Sequence, residues 1–371
     1  MKTVAIVGGG IGGLLTSIQL VKAGIRCQLF EKKRYPFHRV CGEYISNEAV
    51  PFLESQGLFP HQFNPPRITR FQLSSIAGKQ QVLPLDLGGF GISRYSFDNF
   101  LCQQAIRAGV EVEVDASVER IEFDNKTFRV HVNKSVHEFD VVVGAFGKRS
   151  NIDVKMNRDF VKKRSPYVGI KYHIRTNHPG DVIALHNFPG GYCGLSNVEE
   201  GKSNLCYLVH RDKLKEIGSI PKLETEVLCR NPFLSDIFRE SEFLFDRPET
   251  INEISFENKA PIEHHMLLVG DSSGMIAPLC GNGMAMAMRA SRLASEFIRR
   301  FCTDVNYSRA QLEHDYTRAW RNSFQTRLWA GRQLQRLFGS ETASALAVNL
   351  AIYARPVAKA IMRNTHGKPF D

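Results

Sequence analysis

The chain has 371 residues, 43% hydrophobic and 23% charged, enough for two domains or one elaborate α/β domain and too apolar for wholesale disorder. Its net charge of +10 and pI near 9.2 suit an acidic partner, but Lys and Arg are dispersed without a long basic tract, which argues against nucleic acid. The eight cysteines, at 27, 41, 102, 193, 206, 229, 280 and 302, form neither Cys-x-x-Cys nor a zinc-spaced cluster, so free thiols in a reducing compartment are expected and no metal is.

No apolar run reaches the ~18 residues of a membrane span, and Met1-Lys2-Thr3 leads straight into a strand. The expectation is a cytoplasmic protein, at most peripheral to the inner face of a membrane.

"VAIVGGGIGGLLTSIQLVKAGIRCQLFEKK" opens the chain. Residues 4–7 predict a buried strand, 14–23 a helix stopped by Gly24, and 26–30 a second strand ending at Glu31. Gly8, Gly10 and Gly13 fit Gly-x-Gly-x-x-Gly, with Gly12 inside the motif. Gly8 permits the tight turn, Gly10 admits a pyrophosphate to the backbone, and Gly13 lets helix pack on strand. The helix N-terminus offers free N–H groups and the positive end of its dipole. Glu31 is placed to accept both ribose hydroxyls and to repel a 2′-phosphate. In this strand–turn–helix–strand–acid context the motif predicts dinucleotide binding, while the loop by itself leaves FAD and NAD open.

"HRVCGEYIS" follows the second strand and places Arg39, Cys41, Gly42 and Tyr44 together. Arg94 precedes a helix expected from near Ser96, and strands are expected at 112–114 and 118–123. "EFDVVVGAFGKRSN" gives a strand at 141–143, then Gly144-Ala145-Phe146-Gly147 and the basic pair Lys148-Arg149. Residues 167–175 alternate as a strand, and further strands flank Phe188-Pro189-Gly190-Gly191. There His186 and Tyr192 are candidates to face a pocket or to pack within a sheet.

An apolar strand ending at Val269 leads into "GDSSGMIAPLCGNGMAMAM". An acid just past a strand end, here Gly270-Asp271, suits sugar or ribityl hydroxyls. Residues 281–283 then open a helix over 284–300, whose N–H groups can stabilise negative charge. The tail, 307–362, is helix-like. Leu312, Tyr316, Trp320 and Phe324 recur at four-residue spacing among Arg318, Arg321, Arg327, Arg332 and Arg336. Such a stripe either packs on the rest of the chain or meets a membrane surface or an acidic carrier protein. The stretch "ALAVNLAIYARPVAKAIM", 345–362, is expected to cap a substrate entrance.

The N-terminal fingerprint together with Gly270-Asp271, Pro278 and Gly281-Asn282-Gly283 resembles the FAD-dependent oxidoreductases of the para-hydroxybenzoate hydroxylase fold group. Within that group the pattern is most similar to the geranylgeranyl reductase branch, Gly274 standing where many hydroxylases carry His. The resemblance spans about residues 1–300 and implies that the two distant Gly-rich loops hold the two ends of one FAD. It assigns to FAD Gly8, Gly10, Gly12, Gly13, Glu31, Arg39, Cys41, Gly42, Arg94, Val118 (by the adenine), Gly147, Gly270, Asp271, Pro278, Gly281, Asn282, Gly283 and Met284. Cys41 and Tyr44 are candidates for the catalytic acid. Phe146 departs from the family's Gly-Ala-Asp-Gly and puts its NADPH handling in question, with Lys148 and Arg149 as substitutes for phosphate contact or as a solvated turn. The branch's Tyr-Trp-Phe-Pro motif keeps only Phe188-Pro189, and the Trp-rich motif of the related halogenases is missing.

The expected fold is α/β: a discontinuous Rossmann-like FAD-binding domain (1–75, 90–160, 255–300), an inserted antiparallel β-sheet substrate domain (76–89, 161–254) and a helical C-terminal region (301–371). The expected activity is reduction or dehydrogenation of carbon–carbon bonds in an apolar, prenyl-like or carrier-bound substrate by hydride transfer at flavin N5. The alternative is a single-component FAD monooxygenase of an aromatic substrate. Either requires an external electron donor, NAD(P)H or a protein. A membrane surface or an acyl carrier protein is a further candidate partner.

Overall fold

The computed structural model describes residues 2–335, 338–354, 356, 357, 360, 363 and 365–371. Arg336, Arg355 and Met362 of the expected tail lie outside them.

Thr3–Val7 and Val141–Gly144 are continuous apolar runs, which suits strands covered on both faces. They sit centrally in a six-stranded sheet of order Ile262–Glu263, Met266–Leu268, Val141–Gly144, Thr3–Val7, Arg26–Glu31, Glu111–Val114. Pairing is parallel except at Ile262–Glu263, with Val4 beside Val141 and Ile6 beside Leu29.

Helices Ile11–Lys22, Arg94–Arg107 and Gly283–Thr303 bury Leu14, Leu15, Ile18, Phe97, Leu101 and Met288 in one core. The first and last of these lie side by side. Gln19 Nε2 reaches Ser291 Oγ at 3.4 Å, and Ser295 Oγ donates to Thr16 O at 3.4 Å. This packing brings the 8–13 loop beside the 270–283 loop, more than two hundred residues later. The second helix starts at Arg94 rather than near Ser96, because Ser93 accepts from Ser96 N and caps it.

A larger sheet runs Glu242–Phe243, Tyr167–Arg175, Ser203–His210, Gly191–Asn197, Val182–Phe188, Arg67–Ser74, Gln80–Gly91, Tyr44–Ser46, with Glu249–Ile254 also paired to Tyr167–Arg175. All pairings are antiparallel except Arg67–Ser74 with Val182–Phe188. Residues 44–46 and 67–74 were expected beside the dinucleotide portion, yet their backbones pair here. One face of this sheet, with Ile170, Leu195, Leu205 and Tyr207, is buried against Leu223, Leu228 and Leu234. The opposite face looks towards the two Gly-rich loops.

Val118–Phe123, Phe128–Val132 and Ser135–Phe139 form a small meander. The tail folds as Arg309–Gln335 and Glu341–Tyr353. No helix among the described residues is long and apolar enough to cross a membrane.

Candidate functional site

Five helices start under a Ser or Asn side chain, Ser93, Ser150, Ser219, Asn231 and Ser340 each accepting a first-turn N–H, whereas the short helices Val50–Ser55 and Arg211–Ile217 do not. The helices Ile11–Lys22 and Gly283–Thr303 lack such a cap, and neither has an acidic residue in its first turn. Both open from Gly-rich loops on the same side of the molecule. Their first-turn donors therefore need acceptors from elsewhere, which is what an anionic ligand supplies.

The backbone around them is shaped for close approach. A Cβ on Gly13 would overlap the Gly8 carbonyl oxygen, so the helix can start this close to the strand only with glycine. A Cβ on Gly10 would meet only the Arg94 guanidinium, at 3.5 Å, which leaves room over the turn. Gly12 faces Val269 across the gap between the loops.

Glu31 lies at the end of its strand, buried, where its carboxylate accepts from Gly9 N at 2.9 Å and Lys33 N at 3.1 Å. Arg39 bridges Glu31 at 3.2 Å and Asp98 at 3.1 Å. Arg94 holds Asp98 with two bonds of 2.7 Å and stands beside the Cys41 thiol. Burial opposes its charge, but Asp98 outweighs burial and raises the Arg94 pKa above the ordinary value. The Tyr35 hydroxyl donates to Gly9 O over the same loop. Ala116 N donates to Glu31 O at 3.0 Å, two residues before strand Val118–Phe123 begins. Of the expected residues, Val118 packs with the small meander, while Glu31, Arg39 and Arg94 converge. Asp98 and Tyr35 join them, although no motif marked either.

At the second loop, Gly147 N donates to Ser272 Oγ at 2.8 Å. Lys259 donates to the carbonyls of Lys148 at 2.7 Å and Asp271 at 2.8 Å, and lies 4.2 Å from the Phe160 ring centre. Burial pulls its pKa down to about 8. Buried Arg158 braces the same loop from behind, donating to Ser272 O at 3.0 Å and Asp153 at 2.7 Å. Lys148, weighed as a phosphate contact, donates to Val40 O at 2.9 Å. Phe146 packs its ring over Gly144 among Val7, Phe30 and Leu268.

Gly270 and Gly281 both have φ of +63°. Tyr44 lies against Gly281, 3.1 Å from where a Cβ would stand, and its buried hydroxyl donates to Gly88 O at 3.0 Å. Pro278 starts a short turn ahead of Gly281. Met284 is buried, and Asn282 Nδ2 donates to Thr365 O at 3.0 Å while its buried Oδ1 has no protein partner among the described residues. Trp320 and Phe324 belong to the core: Trp320 Nε1 donates to Ser273 Oγ at 3.0 Å, and both rings line a small cleft with Asp271 and Gly274. Arg327 turns inward to buried Glu48 at 3.3 Å, whereas Arg318 and Arg321 remain exposed.

Between the large sheet and this loop lies an apolar layer of Leu73, Leu185, Tyr192, Leu208, Met275 and Val348. Tyr192 ties its parts together, its hydroxyl accepting from Leu279 N at 3.0 Å and donating to Gln335 at 3.3 Å. His186, the other pocket candidate, is fully buried against Ser74 at 2.9 Å and Phe233, and burial lowers its pKa to about 3.

The uncapped helix ends, the open Gly10 turn and the unpartnered Asn282 oxygen fit an FAD laid across both loops. Its pyrophosphate would meet helix Ile11–Lys22 and Arg94, and its ring the 281–283 loop and the Cys41-Gly42 edge.

Comparison with known proteins supports FAD as the cofactor. Residues 1–167 match the FAD binding domain family model. The chain is 28% identical to the digeranylgeranylglycerophospholipid reductase of Methanocaldococcus jannaschii, over 86% of this chain and 82% of that protein. It is 23% identical to conditioned medium factor receptor 1 of Dictyostelium discoideum, over 95% of this chain and 71% of that one. Its fold is similar to that of a flavin-dependent brominase, with a TM-score of 0.78 at 17% identity, over 100% of this chain and 94% of the other.

Proposed function

From the premise that this chain is an FAD-dependent oxidoreductase of the para-hydroxybenzoate hydroxylase fold group, similar to its geranylgeranyl reductase branch, we propose that it reduces or dehydrogenates carbon–carbon bonds in an apolar, prenyl-like or carrier-bound substrate. The apolar layer carries this reading. The sheet face above the 275–283 loop packs Leu73, Leu185, Tyr192 and Leu208 against Met275 and Val348, an apolar lining against which a hydrocarbon chain would lose no hydrogen bonds. Helix Glu341–Tyr353 packs Val348 into the layer.

Bound FAD supplies the hydride chemistry. The protein's share is placement. Helix Ile11–Lys22 and Arg94 would hold the pyrophosphate, Glu31 the ribose, Asp271 the ribityl region, and the 281–283 loop the ring. Cys41 stands at the open edge beside Arg94 and is the candidate to hold the proton delivered opposite the hydride. The Tyr44 hydroxyl is engaged with Gly88 O, and burial raises its pKa, so Tyr44 serves better as the wall behind Gly281. Phe146, apolar where the family pattern has Asp, favours an electron input other than the usual NADPH arrangement. Exposed Trp329 and Tyr353, with exposed Arg318 and Arg321, offer the outer surface where a membrane-held or carrier-held substrate would arrive.

The test is anaerobic. The FAD-loaded protein is reduced with dithionite and mixed with a geranylgeranyl lipid or an aromatic acid. Reoxidation by the lipid, with a saturated product, is the expected result. Hydroxylation of the aromatic compound on admitting oxygen, with NAD(P)H as efficient reductant, would replace this reading by the monooxygenase.

A further inference from the structure

Residues 39–42 lie outside any helix or strand, yet four successive carbonyls in this turn are each held by a side chain from elsewhere. Lys171 Nζ donates to Arg39 O at 3.2 Å and Lys148 Nζ to Val40 O at 2.9 Å. Asn204 Nδ2 donates to Cys41 O at 3.1 Å and Ser196 Oγ to Gly42 O at 3.1 Å. Val40 itself packs on Gly169, 3.1 Å from where a Cβ would be.

Three of these donors form a block on one sheet face. His173 pairs with Asn204 and Asn204 with Ser196 across three strands, and Lys171 lies two residues before His173. The block is polar and buried on the same face that is apolar at Tyr192 and Leu208. Glu43, at φ +55°, closes the turn with a fully buried carboxylate that binds Lys171, His173 at 2.6 Å and Arg94 N at 2.8 Å. A buried polar block on an apolar sheet face is costly unless it is fully engaged. Here its donors are engaged with one turn, and Asn204 Oδ1 alone of the block has no partner among the described residues.

We propose that Lys171, Ser196 and Asn204 are positioning residues, which fix the 39–42 turn so that Cys41 stands against the bound flavin. The sheet that meets the substrate thereby sets the edge of the cofactor site. The inference rests on the reading that Cys41 faces FAD, and it does not depend on which substrate is reduced.

Ser196→Ala and Asn204→Ala each remove one carbonyl contact, while Ser196→Thr keeps the hydroxyl. Iodoacetamide labelling of Cys41 in the FAD-loaded protein is followed by peptide mass spectrometry, with Cys229 as internal reference. Both Ala variants are expected to hold FAD stoichiometrically, with Cys41 labelled about fivefold faster relative to Cys229, and Ser196→Thr to return to the wild-type ratio. A purely structural weakening would speed both cysteines alike and would overturn the proposal, as would wild-type Cys41 labelling in both FAD-loaded Ala variants. If FAD leaves Cys41 labelling of the wild type unchanged from that of its apoprotein, the placement of Cys41 fails first, and the positioning role falls with it.

Discussion

Gly274 has no side chain because Trp320 and Leu328 occupy the space: a Cβ there would stand 3.3 Å and 3.1 Å from them. In sequence this glycine read as a mark of the reductase branch, but its local cause is the packing of helix Arg309–Gln335. Gly274→His would push into both side chains and displace Trp320 from Ser273, at a cost of ~1–3 kcal/mol. Urea midpoints of the two proteins measure it, and equal midpoints would refute the packing argument. Arg94 makes the opposite case, since its position before a helix was legible and its role rests on Asp98. Arg94→Met should leave Asp98 buried without its main partner and weaken FAD binding by about 10–100-fold, a loss of ~1.4–2.8 kcal/mol. Fluorescence titration of apoprotein reads that change, and an unaltered Kd would remove Arg94 from the site. The Gly-rich turn, Glu31 and the 270–283 loop were readable because each is a short local pattern. The Arg39–Asp98 bridge, the hold of Lys259 on Lys148 and the donors to residues 39–42 were not, since each acts across roughly 60–165 residues of sequence and is fixed by register and packing alone.

The elements explain how the second loop is held. Helix Gly283–Thr303 begins without a cap, but the loop before it is tied down by segment 365–370. Thr365 O accepts from Asn282, Phe370 N donates to Glu48 O at 3.2 Å, and the Phe370 ring stacks on Phe52 at 5.4 Å and under Arg289 at 4.3 Å. Glu48 in turn anchors Arg327 of the neighbouring helix. The strap was invisible in sequence, where the tail read only as helix. Phe370→Ala should cost ~3 kcal/mol from the lost ring and release Asn282 enough to loosen FAD several-fold. Thermal melting with and without added FAD separates the two effects. A lower melting point with an unchanged Kd would mean that the strap supports the core and not the loop.

Across the whole molecule, the buried ionisable groups set how stability depends on pH. His186 sits against Ser74 and Phe233, with its pKa pulled by burial from 6.5 to about 3. His38 lies among Tyr95, Phe245 and His173, and burial, then Lys171, lowers it to about 4. Below pH 6.5 the unfolded chain takes up protons on these rings while the folded chain does not. Stability must therefore fall as pH drops from 6.5 towards 4. For fully buried His186 the effect is on the order of a few kcal/mol. Glu43 acts in the next window down. Burial would raise its pKa, but Lys171 and His173 outweigh burial and hold it at about 2, so its contribution is present above pH 4.5 and is lost as pH falls towards 2. Urea unfolding between pH 7.5 and 4.5 should thus show a steady loss of stability, and His186→Gln should flatten much of the slope. A variant with the wild-type slope would show that His186 is protonated in the folded chain. The large sheet would then have to accommodate a buried charge between Ser74 and the Phe233 ring.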